Sequence, residues 1–252
     1  MMFIKFKEET KGQGLLSTMW NECLFTIILM PFWTNIYLME SNSPVMEQLI
    51  LFHDYSMMIM LAILVFLMLS ILDLMMNKKI NLFLMENQSV ELIWTVIPMF
   101  LLIFIAAPSL RLLYLMEESF SPAITLKVIG HQWYWCYMYN DFTIQVESFM
   151  MTDEFLSPDN FRLLETDSPL ILPYQVLTRI LLTSVDVIHS WTIQSLGVKM
   201  DAIPGRLNQM SIFPLKPGVF FGQCSEICGT NHSFMPITLW VTNMNYFLKL
   251  IK

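Results

Sequence analysis

The chain has 252 residues, 55% of them hydrophobic, with a positive mean hydropathy, more apolar than a purely soluble protein of one or two domains requires. Its 21 acidic residues outnumber 14 basic ones for a net charge of -7, which excludes the basic footprint of a nucleic-acid binder and suits basic partners. Four cysteines, Cys23, Cys136, Cys224 and Cys228, are too few and too scattered for a disulfide framework, and only the last two are near neighbours.

At the start of the chain, Lys5, Lys7 and Lys11 precede an uncharged run from Cys23 to Met39 that Pro31 interrupts. We read residues 1–31 as an extension or removable leader; an interfacial helix or a third span is also open there. Two uncharged runs follow, Tyr55 to Leu72 and Leu92 to Leu110, of 18 and 19 residues. At about 1.5 Å per helical residue each approaches the roughly 30 Å hydrocarbon core of a bilayer, so residues 32–116 read as an N-terminal segment and a two-helix transmembrane hairpin. Pro98 and Pro108 fall in the second run, where a membrane helix tolerates them with a kink or a frayed end. Lys78 and Lys79 lie in the connecting loop, with Asn77 and Asn81 marking a turn. The positive-inside rule then places that loop on the matrix or cytoplasmic side and both termini outside.

From Glu117 the character changes to short β-rich runs, Ile124 to Ile129, Trp133 to Tyr139, Gln175 to Leu182 and Phe234 to Val241, separated by Pro, Gly, Asn and Asp. No βαβ alternation is present, so residues 117–252 read as an all-β Greek-key sandwich or barrel with a short helical tail from Asn245.

The chemistry concentrates in Cys224-Ser225-Glu226-Ile227-Cys228, followed by His232 and Met235, with His189 35 residues upstream of Cys224. Two thiolates, two imidazoles and a thioether form a soft donor set that favours copper or zinc, and a weak thioether ligand points to copper electron-transfer sites. Two thiolates can bridge a pair of coppers with one histidine for each. Residue types alone leave two other occupants open. One is a disulfide on the oxidising side of a membrane, the other a structural zinc held by two cysteines and two histidines. Either would make the chain a membrane-anchored β-domain acting in interaction or assembly. By type alone, Trp133, Tyr134 and Trp135 read as β-core or membrane-interface aromatics, Glu91 as an acid ending a span, and Glu226 as an exposed loop acid.

Several ordered strings go further: Gly130-His131-Gln132-Trp133-Tyr134-Trp135, Phe161-Arg162-Leu163-Leu164-Glu165, Ile188-His189-Ser190-Trp191, Pro204-Gly205-Arg206-Leu207-Asn208-Gln209, and Phe221-Gly222-Gln223-Cys224 through Met235-Pro236. With Met46-Glu47-Gln48-Leu49-Ile50, Phe52-His53-Asp54, Glu91-Leu92-Ile93-Trp94-Thr95 and Pro108-Ser109-Leu110-Arg111, they closely resemble cytochrome c oxidase subunit II from about Trp33 to near the C-terminus. The resemblance implies a cupredoxin-like Greek-key β-barrel holding a dinuclear CuA centre behind two transmembrane helices packed on subunit I. Cys224 and Cys228 would bridge both coppers, His189 and Met235 would serve one, and His232 with the main-chain carbonyl of Glu226 the other. The Glu226 carboxylate would reach a magnesium ion at subunit I. Trp133 would receive the electron beneath bound cytochrome c, and Glu91 would stand at the mouth of a proton path. His131 looks structural.

Asp141, Glu147, Asp167 and Asp186 match acids of the family's docking face for cytochrome c, in a stretch from Glu117 to Asp201 that carries 11 acids and 4 bases. The resemblance further implies a proton-pumping oxidase of the mitochondrial inner membrane, with both termini and the CuA domain in the intermembrane space. Three departures, Cys136, Met138 and Val185, replace polar or acidic family residues and bear on docking rather than on copper. The first thirty residues have no counterpart in the family pattern.

Overall fold

The computed structural model describes residues 37–79, 81–83, 85–118, 121–156 and 160–250; the leader expected over 1–31 lies outside them. The chain divides into two compact units, Glu47–Glu118 and the remainder.

The first unit is built on α1 (Pro44–Met76) and α2 (Gln88–Glu117), which are 33 and 30 residues long and apolar enough to cross a membrane. Their lengths correspond to roughly 45–50 Å, enough to pass the hydrocarbon core and reach the headgroups on both sides. Helix α2 opens at Asn87, whose side chain accepts from the main-chain N–H of Val90 at 3.2 Å, and Glu91 in the first turn complements the positive end of the helix dipole. The helix runs unbroken through Pro98 and Pro108, so the frayed end that Pro108 allows does not occur. In the connecting loop, Asn77 and Asn81 each fold back onto the chain. Their side-chain oxygens accept from the N–H of Lys79 at 2.9 Å and of Phe83 at 3.1 Å, a local closure that competes with helix.

The second unit contains β1 (Ile124–His131), β2 (Tyr134–Tyr139), β3 (Ile144–Ser148), β4 (Leu170–Pro173), β5 (Thr178–Ser184), β6 (His189–Ile193), β7 (Val198–Ala202), β8 (Asn208–Ile212), β9 (Gly218–Gln223) and β10 (Pro236–Thr242), closed by α3 (Met244–Leu250). The strands form a five-stranded sheet in the order β3-β2-β1-β5-β8, a three-stranded sheet β4-β10-β9, and the ribbon β6-β7. Strands β1 and β5 pair in parallel, as do β4 and β10; the other pairs are antiparallel. Along β1 and β5, buried and half-buried residues alternate with the period of two that a one-sided sheet requires. Strand β10 is buried at its first four positions, as expected of a strand covered on both faces. Leu126, Val128, Trp135, Ile180, Leu182 and Trp191 are wholly enclosed at the centre of one core.

A segment just before α1 belongs to this unit. Buried Asn42 exchanges main-chain bonds with Ser195 (2.8 Å) and Leu215 (2.9 Å), while its side-chain amide accepts from Lys216 N at 2.7 Å and donates to Lys216 O at 3.1 Å. Ser43 donates to the carbonyl of Leu196 at 2.6 Å and accepts from Met46 N at 3.0 Å, both within this unit.

Strands β9 and β6 approach so closely at Gly222 that a Cβ there would fall 1.9 Å from the carbonyl oxygen of Thr192. Gly222→Ala must therefore push β9 away from the ribbon that carries His189, at a cost of about 3 kcal/mol. Gly205→Ala, at φ +74 with nothing within 4 Å, meets only left-handed strain of about 1 kcal/mol. Thermal unfolding of the two variants should rank them in that order, and equal midpoints would contradict the close approach.

Candidate metal centre

Both cysteines lie in the loop that leaves β9, and His189 is the first residue of β6. The loop is pinned to that strand by the N–H of Ser225, which donates to Ser190 O at 3.0 Å. The two sulfurs and an imidazole nitrogen of His189 all fall within 4.8 Å of one another. His189 Nδ1 lies 3.9 Å from Cys224 Sγ, and the Glu226 main-chain oxygen lies 3.3 Å from the same sulfur. Around Cys228 Sγ stand His232 Nδ1 at 3.4 Å and Met235 Sδ at 3.5 Å. The short 3-10 turn His232–Phe234 sets the spacing between those two donors. The structure thus gathers in one cluster every donor that the resemblance selects: five side chains and one carbonyl.

The surroundings hold these groups still. His189, both cysteines and Met235 are buried. The Trp135 indole donates to Met235 O at 3.4 Å and meets the His189 ring edge-on, with centroids 5.8 Å apart. Gly130 leaves room for the imidazole, since a Cβ there would come within 2.9 Å of His189 Cδ2. On its other side, the His189 Nε2 atom is 2.9 Å from Asp186 Oδ1.

Charge is unevenly distributed within the cluster. Burial is the largest influence on Cys224 and opposes its ionisation, but the hydrogen bond with His189 together with those of the Ser190 and Glu226 main chain outweighs it and holds this thiol below its ordinary value. Burial, reinforced by the neighbouring Cys224, pushes Cys228 up to about 12. The His189 imidazole is disfavoured as a cation by burial, yet its bonds to Cys224 and Asp186 leave it raised overall. Asp186 is lowered: burial is more than offset by hydrogen bonds from His189, Val187 N and Gln132 N. The pair therefore accommodates one negative sulfur readily and a second only with a cation present.

That donor set fits copper. The cysteines are free thiols, not a disulfide. A zinc site of two cysteines and two histidines would leave the buried Met235 sulfur without a role at 3.5 Å from Cys228 Sγ, whereas a thioether is an expected weak ligand of copper.

The remaining residues singled out in the sequence are spread more widely. Trp133 is half-buried beside the cluster: a Cβ on Gly229, the residue after Cys228, would lie 3.2 Å from the indole Cζ2. Its indole N–H is buried without a hydrogen-bond partner among the described residues. Glu226 turns an exposed side chain outward, and Glu91 stands exposed in the first turn of α2 in the other unit. His131 stacks on Tyr134, with ring centroids 4.6 Å apart. Of the four acids matched to docking, Asp141 accepts from Thr125 N at 2.9 Å and Asp167 from Phe149 N at 2.8 Å. Glu147 is exposed on β3, opposite Cys136. One contact had no expectation attached to it: the Gln132 side-chain amide donates to Cys228 O at 2.8 Å. Gln132 lies inside a recognisable string, but a glutamine carries no metal-site signal of its own.

An apolar helical pair joined to a β-domain with a buried two-thiolate site defines a membrane-anchored copper protein. Comparison with known proteins narrows this further. Residues 124–242 match the family "Cytochrome C oxidase subunit II, periplasmic domain" and residues 31–112 match "Cytochrome C oxidase subunit II, transmembrane domain". Cytochrome c oxidase subunit 2 of Ctenocephalides felis is 54% identical over 220 residues, covering 87% of this chain and 97% of its own. The Drosophila subobscura protein of the same name is 53% identical over 223 residues, covering 88% and 97%. The crystal structure of the periplasmic domain of subunit II from Bradyrhizobium japonicum cytochrome oxidase aligns with a TM-score of 0.50 at 39% identity, over 53% of this chain and 94% of that one. The chain belongs to the cytochrome c oxidase subunit II family, and as such is one subunit of a haem-copper oxidoreductase complex. Its cupredoxin-like fold and membrane-spanning hairpin are those the resemblance implied.

Because burial and the neighbouring Cys224 push the Cys228 thiol up to about 12, it must give up a proton to bind a metal as thiolate. Copper uptake should release protons into weakly buffered solution and weaken as the pH falls, by about tenfold per unit for each proton released. A pH-stat titration of the metal-depleted protein checks this, and uptake indifferent to pH would contradict it.

Proposed function

We propose that this chain is the subunit through which cytochrome c delivers electrons to a mitochondrial-type, proton-pumping oxidase. The observation that carries the proposal is the convergence of two thiols, two imidazoles, a thioether and a carbonyl at the Cys224–Cys228 loop. Cys224 and Cys228 would bridge two coppers, with His189 and Met235 serving one and His232 with the Glu226 carbonyl the other. Held by those residues, a copper pair would supply one-electron chemistry, accepting an electron and passing it on toward the haem of subunit I.

The protein's own residues supply the approach. The Trp133 indole lies against Gly229 and hence one residue from a bridging sulfur, which supports its role as the point where the electron arrives. Asp141, Glu147, Asp167 and Asp186 contribute to an acidic face that favours a lysine-rich partner, cytochrome c. The exposed Glu226 carboxylate is a hard oxygen donor suited to magnesium at the contact with subunit I. Glu91, in the first turn of α2, would stand at the mouth of a proton path into subunit I; an acid near the end of an apolar helix supports that role.

Residues 32–116 comprise an N-terminal segment and the two-helix membrane hairpin, 117–252 the outer copper domain, and 1–31 an extension or leader. The Lys78 and Lys79 loop faces the matrix side of the mitochondrial inner membrane. Both termini and the copper domain face the intermembrane space.

Stopped-flow kinetics with cytochrome c tests this reading. The on-rate should be highest at low salt and fall as the Debye length shrinks to about 10 Å at 0.1 M. Glu147→Gln should lower the on-rate and flatten its salt dependence. Trp133→Phe should leave association unchanged and slow electron transfer within the complex. An on-rate indifferent to salt, or normal transfer in Trp133→Phe, would contradict it.

A further inference from the structure

Among the acids assigned to docking, Asp186 is the one whose carboxylate is fully engaged with its own chain. Its side chain is only 29% exposed. Oδ1 accepts from Val187 N at 2.6 Å, lies 2.9 Å from His189 Nε2 and 3.2 Å from the Ser184 hydroxyl, and Oδ2 accepts from Gln132 N at 2.6 Å. Gln132 in turn reaches with its side-chain amide to Cys228 O at 2.8 Å. One chain of hydrogen bonds therefore runs His189–Asp186–Gln132–Cys228. It connects the start of β6, the turn between β1 and β2, and the cysteine loop, three segments far apart in sequence.

The chemistry of each link is directional. An ionised carboxylate only accepts, so the imidazole nitrogen facing it carries a hydrogen, and once His189 is neutral, as a metal ligand must be, Nδ1 is the nitrogen left free, 3.9 Å from Cys224 Sγ. The same carboxylate takes the N–H of Gln132, the residue before Trp133, and so fixes the turn that holds the indole against Gly229. An asparagine at position 186 would turn one NH2 group toward a donor and could not satisfy both sides.

We infer that Asp186 and Gln132 are positioning residues of the metal centre: the carboxylate sets the tautomer and orientation of His189, and the amide braces the Cys228 main chain against the turn carrying Trp133. The inference rests on the copper reading above. It gives Asp186 a task that is independent of attracting a partner. Outer partners of metal-bound histidines are worth about ten- to a hundredfold in metal affinity, and the brace should act on that scale.

The test compares the assembled oxidase in four forms, wild type, Asp186→Asn, Gln132→Met and the charge control Glu147→Gln, before any cytochrome c is added. Electron paramagnetic resonance and visible absorption of the copper site are recorded, and then the loss of that signal under a copper chelator. Wild type and Glu147→Gln should give one spectrum and one rate of loss. Asp186→Asn should alter the hyperfine pattern and lose copper about ten- to a hundredfold more readily, with Gln132→Met shifted in the same direction. Gln132→Met keeps every main-chain bond, so it tests the brace even where Asp186→Asn fails to assemble. Both variants matching wild type in spectrum and copper retention would overturn the inference alone. A wild type with no two-copper spectrum would overturn the copper reading and this inference with it.

Discussion

Two cysteine sulfurs four residues apart and buried together cannot both be anions in the absence of a neighbouring cation. Cys224 is held low because its bonds with His189 and nearby main chain together outweigh burial, while burial, with the charge of Cys224 added, drives Cys228 to about 12. Most local features of the outer unit follow from meeting that requirement. Strand β6 must lie close enough to β9 to set an imidazole beside the first sulfur, which is why Gly222 and Gly130 occupy places where a Cβ would collide with Thr192 and His189. The return from His232 to Met235 must be tight enough to bring a second imidazole and a thioether to the other sulfur. The core under the loop, with Trp135 donating to Met235 O, gives these donors a rigid seat.

The strands that could be read from sequence, β1, β2, β5 and β10, are those dense in β-branched and aromatic residues. The expected third run began too early: Gln175 takes a positive φ of 56 and donates to Pro214 O, so the strand starts only at Thr178. Strands β3, β7 and β8 are only five residues long; β3 (Ile144–Ser148) and β7 (Val198–Ala202) alternate apolar and polar residues, but over a run too short and too polar to stand out from the loops beside it. They become strands because distant partners pair with them, for example β8 along β5 from Thr178↔Ile212 to Leu182↔Asn208. Such pairing depends on tertiary context that no short window contains.

The donor set was legible because cysteine, histidine and methionine at short spacing have few other common uses. The brace through Gln132 was not, since a glutamine amide and a main-chain carbonyl meet only after folding. The acids were legible as charge but not as structure. Asp141 and Asp167 accept main-chain N–H groups at 2.9 and 2.8 Å, so each also ties down the chain around it. In the membrane unit the two long apolar runs identified both helices, and Pro98 and Pro108 fit inside α2 because a membrane helix is held by its surroundings as much as by its own ladder.

The central claim, that the two thiols would share two metal ions, is tested most directly by metal analysis and electron paramagnetic resonance of the whole chain, purified in detergent and loaded with copper. Two coppers per chain, with one unpaired electron delocalised over both, is the result that the proposed function predicts. A single copper per chain, or stoichiometric zinc with no uptake of copper, would contradict it.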